Sequence, residues 1–266
     1  MISSSVCHGF SLIETAILLV IVTLIIGSMF VARTVIENSQ MRGLVAQLEQ
    51  VDGAVQAFKT RYRCMPGDCV NATRYFPLKT NNCIHTNGAS ETNRTCNGDG
   101  GGFVNSTSGG SPTTRREKYL FWQHLNLARL INGTYTGISG AGASNGHSVI
   151  GSNVPRTPLD AVGMDVSYQD GDAWSVVLGA SRGRIYHLNL GATRGTGELS
   201  YGSLPTFIAR SIDRKIDDGL ASTGRFGAYG AASVYNTTGC VSGSGPSQTY
   251  LTSNSGFCVG VAFFSW

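Results

Sequence analysis

From Phe10 to Ala32 the chain reads FSLIETAILLVIVTLIIGSMFVA, an apolar run broken by a single charge, Glu14. A helix needs about 20 such residues to cross the hydrocarbon core of a bilayer. The run therefore predicts a membrane-spanning helix near the N-terminus. A secretory signal peptide is the other reading of an early apolar stretch. It fits poorly, because the run exceeds a typical signal core, no Lys or Arg precedes it and no small-residue cleavage site follows it. Glu14 sharpens the constraint. An acid costs about 2.5–3.5 kcal/mol at the membrane centre and less near its edge, so Glu14 either lies at headgroup level or has a partner.

The helical pattern outlasts the apolar run. Met41, Leu44, Val45, Leu48, Val51, Val55 and Phe58 recur at three- and four-residue spacing with Arg42, Glu49, Asp52 and Lys59 between them, which makes one apolar stripe. A helix from Phe10 to about Tyr62 would be roughly 80 Å long, its first half in lipid and its second half laid on a globular body. Gly27, Gly43 and Gly53 are its soft points, each costing about 1 kcal/mol relative to Ala. The first proline is Pro66, so no proline kink is expected before Pro66-Gly67-Asp68 ends the helix.

The body, residues 63–266, has another character. Charged residues make up only 14% of the chain and glycine 35 positions, which excludes charge-rich disorder and indicates an ordered, loop-heavy fold containing β-structure. The net charge of +4 is spread out, with Arg115, Arg116 and Lys118 as the one tight basic cluster; charge does not imply nucleic-acid binding. The polar stretch Cys64 to Pro112 reads as a long surface excursion held by cysteines. Thr114-Arg115-Arg116-Glu117 fits a capping box for a helix carrying Tyr119, Leu120, Trp122, Leu125, Ala128, Leu130 and Ile131 and ending at Gly133. The period then moves towards two. Val166 to Tyr168 and Trp174 to Leu178 flank Asp170-Gly171-Asp172, and Ile185 to Leu190 follows Arg182-Gly183, which predicts a small antiparallel sheet. A further helix is expected from about Pro205 to Asp218, with Gly219 beyond it, and a strand over Phe257 to Phe264. The fold class is α+β: a long N-terminal helix on a small antiparallel sheet, with extra helices and disulfide-held loops.

Of the seven cysteines, Cys7 precedes the apolar run and six follow it: Cys64, Cys69, Cys83, Cys96, Cys240 and Cys258. In a chain delivered across a membrane, an even set reads as a disulfide framework. A zinc site on Cys64 to Cys96 is the alternative, and the spacing C-x4-C-x13-C-x12-C lacks paired C-x2-C knuckles. Cys64 with Cys69, Cys83 with Cys96 and Cys240 with Cys258 are the natural local closures, among 15 pairings that six cysteines allow.

Gly9-Phe10-Ser11-Leu12-Ile13-Glu14, followed at once by the apolar run, resembles the processing signal of bacterial type IV prepilins and type II secretion pseudopilins. The resemblance implies removal of residues 1–9 by a prepilin peptidase after Gly9, methylation of the new amine on Phe10, and an assembly role for Glu14. Three inner stretches, MPGDCVNA from Met65, FWQHLNLARLINGTYTG from Phe121 and IDRKIDDGLASTG from Ile212, look like segments of large prepilin-like proteins. The division that follows is a leader over 1–9, a helix over 10–62 that is transmembrane over 10–32, and a periplasmic or extracellular head over 63–266. The implied function is that of a filament subunit, held in the bacterial inner membrane before assembly and then part of a surface pilus or periplasmic pseudopilus. Its implied partners are other pilin subunits, the peptidase and methyltransferase, and the inner-membrane assembly platform. The bulky head favours a minor or specialised pilin, with a secretion pseudopilin as the alternative. A reading from another class is a non-polymerising, membrane-tethered adhesin or binding protein.

No catalytic set emerges from the residues. His85, His124, His147 and His187 are dispersed, and no phosphate-binding loop is present, so the chain is not expected to be an enzyme or to need a cofactor. Two acidic groups are candidates for calcium: Asn97 and Asp99 in Asn97-Gly98-Asp99-Gly100, and Asp213, Asp217 and Asp218 beside Gly219. A plain turn and an acid-rich helix end are the simpler readings, because neither loop alone supplies the six or more oxygens Ca²⁺ requires.

Overall fold

The computed structural model describes residues 11–78, 93–104, 117–140, 147–169, 185–193, 199–230, 239–243, 247–251 and 256–266. Helix α1, Leu12–Tyr62, is continuous over 51 residues and so about 77 Å long. It ends where the sequence predicts. Arg63 adopts the left-handed conformation (φ 57°) and its N–H donates to the Lys59 carbonyl, a common helix stop. The two halves of α1 meet different surroundings. From Leu12, 89% exposed, to Ile36 the apolar side chains described face outward, whereas Met41, Leu44, Leu48, Val51, Ala54, Val55 and Phe58 are buried in the main core.

What buries the stripe is the rest of the fold. Helix α2 (Ala72–Tyr75) is one turn, α3 spans Glu117–Leu127 and α4 spans Thr206–Ile216; α3 and α4 both touch α1. At Gly43 a Cβ would come 3.1 Å from Cγ of Pro158, so the loop around Pro158 lies directly on the helix there. The Gln47 side-chain amide donates to the Arg156 carbonyl at 3.0 Å, and Nε1 of Trp266 donates to Asp52 Oδ1 at 2.8 Å. Gly43, one of the expected soft points, is thus a point of close packing.

The sheet is antiparallel throughout. Strands β1 (Gly163–Gln169) and β2 (Ile185–Gly191) pair along their whole length, from Gly163 opposite Gly191 to Gln169 opposite Ile185. β2 then pairs with the C-terminal strand β7 (Phe257–Phe264), which also pairs with β3 (Leu204–Pro205) and β4 (Phe226–Tyr229). A separate two-stranded piece joins β5 (Val241–Ser242) to β6 (Thr249–Tyr250). The expected strand at Trp174 to Leu178 and the capping residues Thr114 to Arg116 lie outside the described residues. The chain is therefore α+β, a long apolar helix with an antiparallel sheet and further helices.

Disulfides Cys64–Cys69 and Cys240–Cys258 are formed. Cys96 is also disulfide-bonded, and Cys83 lies outside the described residues. The second bridge ties the strand pair β5–β6 to β7. Its loop of 18 residues stabilises by about 3 kcal/mol in the chain-entropy view.

Two expectations need correction. The stretch from Cys64 to Pro112 is not simply a surface excursion, because Met65, Asp68, Cys69, Thr95, Cys96 and Val104 are buried. The loop is pulled inward by His124 on α3. Its Nδ1 accepts from the Gly67 N–H at 3.0 Å, and its Nε2 faces Thr95 Oγ1 and the Cys96 carbonyl at 3.0 and 3.2 Å. Lys118, read with Arg115 and Arg116 as a basic cluster, is only 1% exposed and pairs with buried Asp165 at 3.3 Å. Ser148 Oγ also donates to that carboxylate at 2.7 Å. α3 is covered on all sides from Glu117 to Leu125, so its polar residues needed interior partners.

Candidate functional site

Among the described residues, the helix and two acidic groups are candidates for function. Glu14 lies in the first turn of α1, exposed, with its N–H donating to the Ser11 carbonyl at 3.0 Å. Its carboxylate meets no partner among the described residues. Ahead of it, Gly9 and Phe10 lie outside the described residues. The helix is long and apolar enough to cross a membrane, and its most apolar window has no side chain buried by the protein itself. The sole charge in that run is therefore presented outward, and among the described residues the helix dipole, worth about 0.3–1 kcal/mol, is its local support.

The first acidic group joins three stretches of chain. Asp68 follows the Pro66-Gly67 turn inside the Cys64–Cys69 loop, Asp99 sits in the glycine-rich turn and Glu117 begins α3. One carboxylate oxygen from each lies within 4.8 Å of the others. The turn is pressed onto Asp68: a Cβ on Gly98 would come 2.4 Å from the Asp68 Cα. Backbone N–H groups meet part of the charge. Gly102 donates to Asp68 Oδ2, Asp99 to Glu117 Oε1 and Gly101 to Asp99 Oδ1, each at 2.8 Å. Burial raises the Asp68 carboxyl above its ordinary range, the amides of Gly102 and Gly100 oppose this, and neighbouring Asp99 adds to it. Asn97 belongs to a different task, its Oδ1 accepting from the Thr73 N–H at 2.9 Å. Sequence reasoning found Asp99 but missed Asp68 and Glu117, which are 31 and 18 positions away from it in a chain whose loops hide their neighbours.

The second group closes the end of α4. Asp213 is fully buried; its Oδ1 accepts from the Gly219 N–H at 2.9 Å and its Oδ2 from the Tyr250 hydroxyl at 2.6 Å. Asp217 Oδ2 accepts from the N–H groups of Arg225 and Phe226, and its Oδ1 from that of Asp218. Asp218 takes the Leu220 N–H and the Thr223 hydroxyl. These oxygens are occupied by protein donors, so the trio shapes the turn from α4 to β4. Burial and a hydrogen bond shared with Asp217 push the Asp213 carboxyl from its ordinary value of 3.8 up to about 8, while Asp217 is held low by that shared bond and its backbone donors.

A pH dependence follows. Because the folded state holds the Asp213 proton more tightly than the unfolded chain, its contribution is full below about pH 3.8 and is lost as pH rises through about 8. The Asp217 shift acts only below pH 3.8 and does not oppose this. Thermal unfolding of the chelator-treated protein should show Tm falling from pH 5 to pH 8. Asp213→Asn, which keeps a neutral side chain, should flatten that slope, and an unchanged slope would exclude Asp213 as its source.

The chain matches no family model, no curated protein and no solved structure.

Proposed function

We propose that this protein is a structural subunit of a type IV pilus-family filament, anchored by α1 and polymerised through it, and that it acts by assembly rather than catalysis. The observation that carries the reading is the division of one helix. Its first half is apolar and bare, its second half is part of the head's core, and no break separates them. A simple tether needs no rigid continuity between anchor and head. A subunit that buries its anchor among copies of itself does, because force and register pass along the helix. The processing signal at Gly9 and Phe10, with Glu14 as the one charge in the run, supports the same reading. The bulk of the head supports a minor or specialised position in the filament.

Shearing cells that express the full chain should release it with filaments, and its N-terminus there should be a methylated Phe10. Retention of the whole population in the inner membrane, in cells that do assemble filaments, would overturn the reading in favour of a tethered binding protein.

A further inference from the structure

The two acidic groups look alike in sequence and differ in one physical respect. Around Asp213 and Asp217, each carboxylate oxygen receives a protein donor. In the other group, Asp68 is 5% exposed and its Oδ1 has no hydrogen-bond donor among the described residues. Nearly all buried polar atoms in folded proteins are satisfied. An orphaned oxygen on a buried carboxylate that neighbours two further carboxylates calls for a cation, not for another N–H.

We propose that Asp68, Asp99 and Glu117 bind a Ca²⁺ ion, with solvent completing the coordination. The donors are all oxygen, as a hard cation of this size prefers, and Ca²⁺ accepts the irregular geometry of a loop where Mg²⁺ demands an octahedron. The left-handed turns at Gly100 (φ 75°) and Gly102 (φ 88°) fold the loop over Asp68, and the Tyr186 hydroxyl holds the Gly102 carbonyl at 3.3 Å. Beside Asp68 a cavity lined by Lys59, Arg63, Gly100, Gly102 and Tyr186 reaches solvent. The two cations on its wall weaken binding, so affinity belongs with extracellular modules, at about 10⁻⁴ M. Bound Ca²⁺ would join the disulfide loop, the glycine turn and the start of α3. This inference does not depend on the filament reading.

The test uses the full-length protein in detergent, stripped with a chelator and titrated with CaCl₂ by calorimetry and thermal unfolding. One Ca²⁺ should bind per chain and raise Tm, with Mg²⁺ at least about tenfold weaker. Asp99→Asn alters an exposed side chain, so it should fold as the parent does in chelator yet bind Ca²⁺ at least about tenfold more weakly. Asp68→Asn should abolish binding, and if that variant fails to fold, Asp99→Asn decides alone. Asp213→Asn should bind normally. Absence of Ca²⁺ binding to the parent, parental affinity in Asp99→Asn, or loss of binding in Asp213→Asn would each overturn the site.

Discussion

Phe58→Ala should destabilise the head by about 3–5 kcal/mol, the usual range for truncating a buried aromatic, and lower its Tm by about 10 °C. Phe58 is wholly buried although it lies on the helix that also carries the bare apolar segment. Its ring sits 4.5 Å from Tyr62, 6.4 Å from Phe76 and 6.1 Å from His124, stacked on the last at 5°. Removing it opens a cavity where α1, α2 and α3 meet, and it loosens the packing beside the histidine that holds Gly67 and Cys96. Val35→Ala is the matched control, since Val35 is 61% exposed and should leave head stability within about 0.5 kcal/mol. Thermal unfolding of both variants followed by near-ultraviolet circular dichroism checks this. Equal, small effects would mean that the second half of α1 is docked on the head only loosely and serves as a subunit contact.

The sequence made α1 legible because two periodicities in it are long. Twenty-odd apolar residues can only mean lipid or a buried core, and the stripe from Met41 to Phe58 repeats often enough for its face to be read. The strand at Phe257 to Phe264 and the helix near Thr206 to Ile216 were legible for the same reason. The two described disulfides are both short closures among the pairings the sequence left open, Cys64 and Cys69 being five positions apart and Cys240 and Cys258 eighteen. Non-local polar partnerships were not legible. Nothing near Lys118 in sequence announces Asp165, and nothing near Asp99 announces Asp68 or Glu117. A polar residue reads as solvent-facing unless its partner is known, and these partners arrive only when α3 is buried on every side. The same blindness hid His124, which looked like one of several dispersed histidines and instead fastens the cysteine loop to the core.

Two of the inner stretches singled out in the sequence come together at that fastening. Gly67 in the first has its backbone N–H on His124 in the second, and at φ 87° a Cβ there would come 2.4 Å from the Glu117 carbonyl oxygen. The third stretch carries Asp213, Asp217 and Asp218 and shapes the turn from α4 to β4. Short polar motifs of this kind fix how loops seat on a core, which explains why they stand out in a chain otherwise rich in Gly, Ser and Asn.

Glu14→Val should leave processing and membrane insertion intact and remove most of the protein from filaments. Insertion is governed by the apolar run, and replacing the one acid with Val makes transfer into lipid more favourable by about 2.5–3.5 kcal/mol at most. On the proposed reading the cut falls after Gly9, five residues upstream, and should survive. On the filament proposal, assembly is the step in which the carboxylate would matter. On the filament reading, cleavage leaves a cationic amine on Phe10, and Glu14 in the first turn of the next helix supplies the opposite charge in a layer with little water. Truncating one partner of such a pair costs about 2–5 kcal/mol, chiefly by leaving the other charge unpaired, so incorporation should fall by more than about tenfold. Within a single helix, residues four apart are also neighbours, and a pair satisfied inside one subunit would predict no such loss. N-terminal mass spectrometry of the membrane fraction reports the cut, and the sheared fraction reports assembly. Wild-type amounts of Glu14→Val in sheared filaments would remove the registration role and leave Glu14 as an acid tolerated at the membrane edge, stabilised only by the helix dipole.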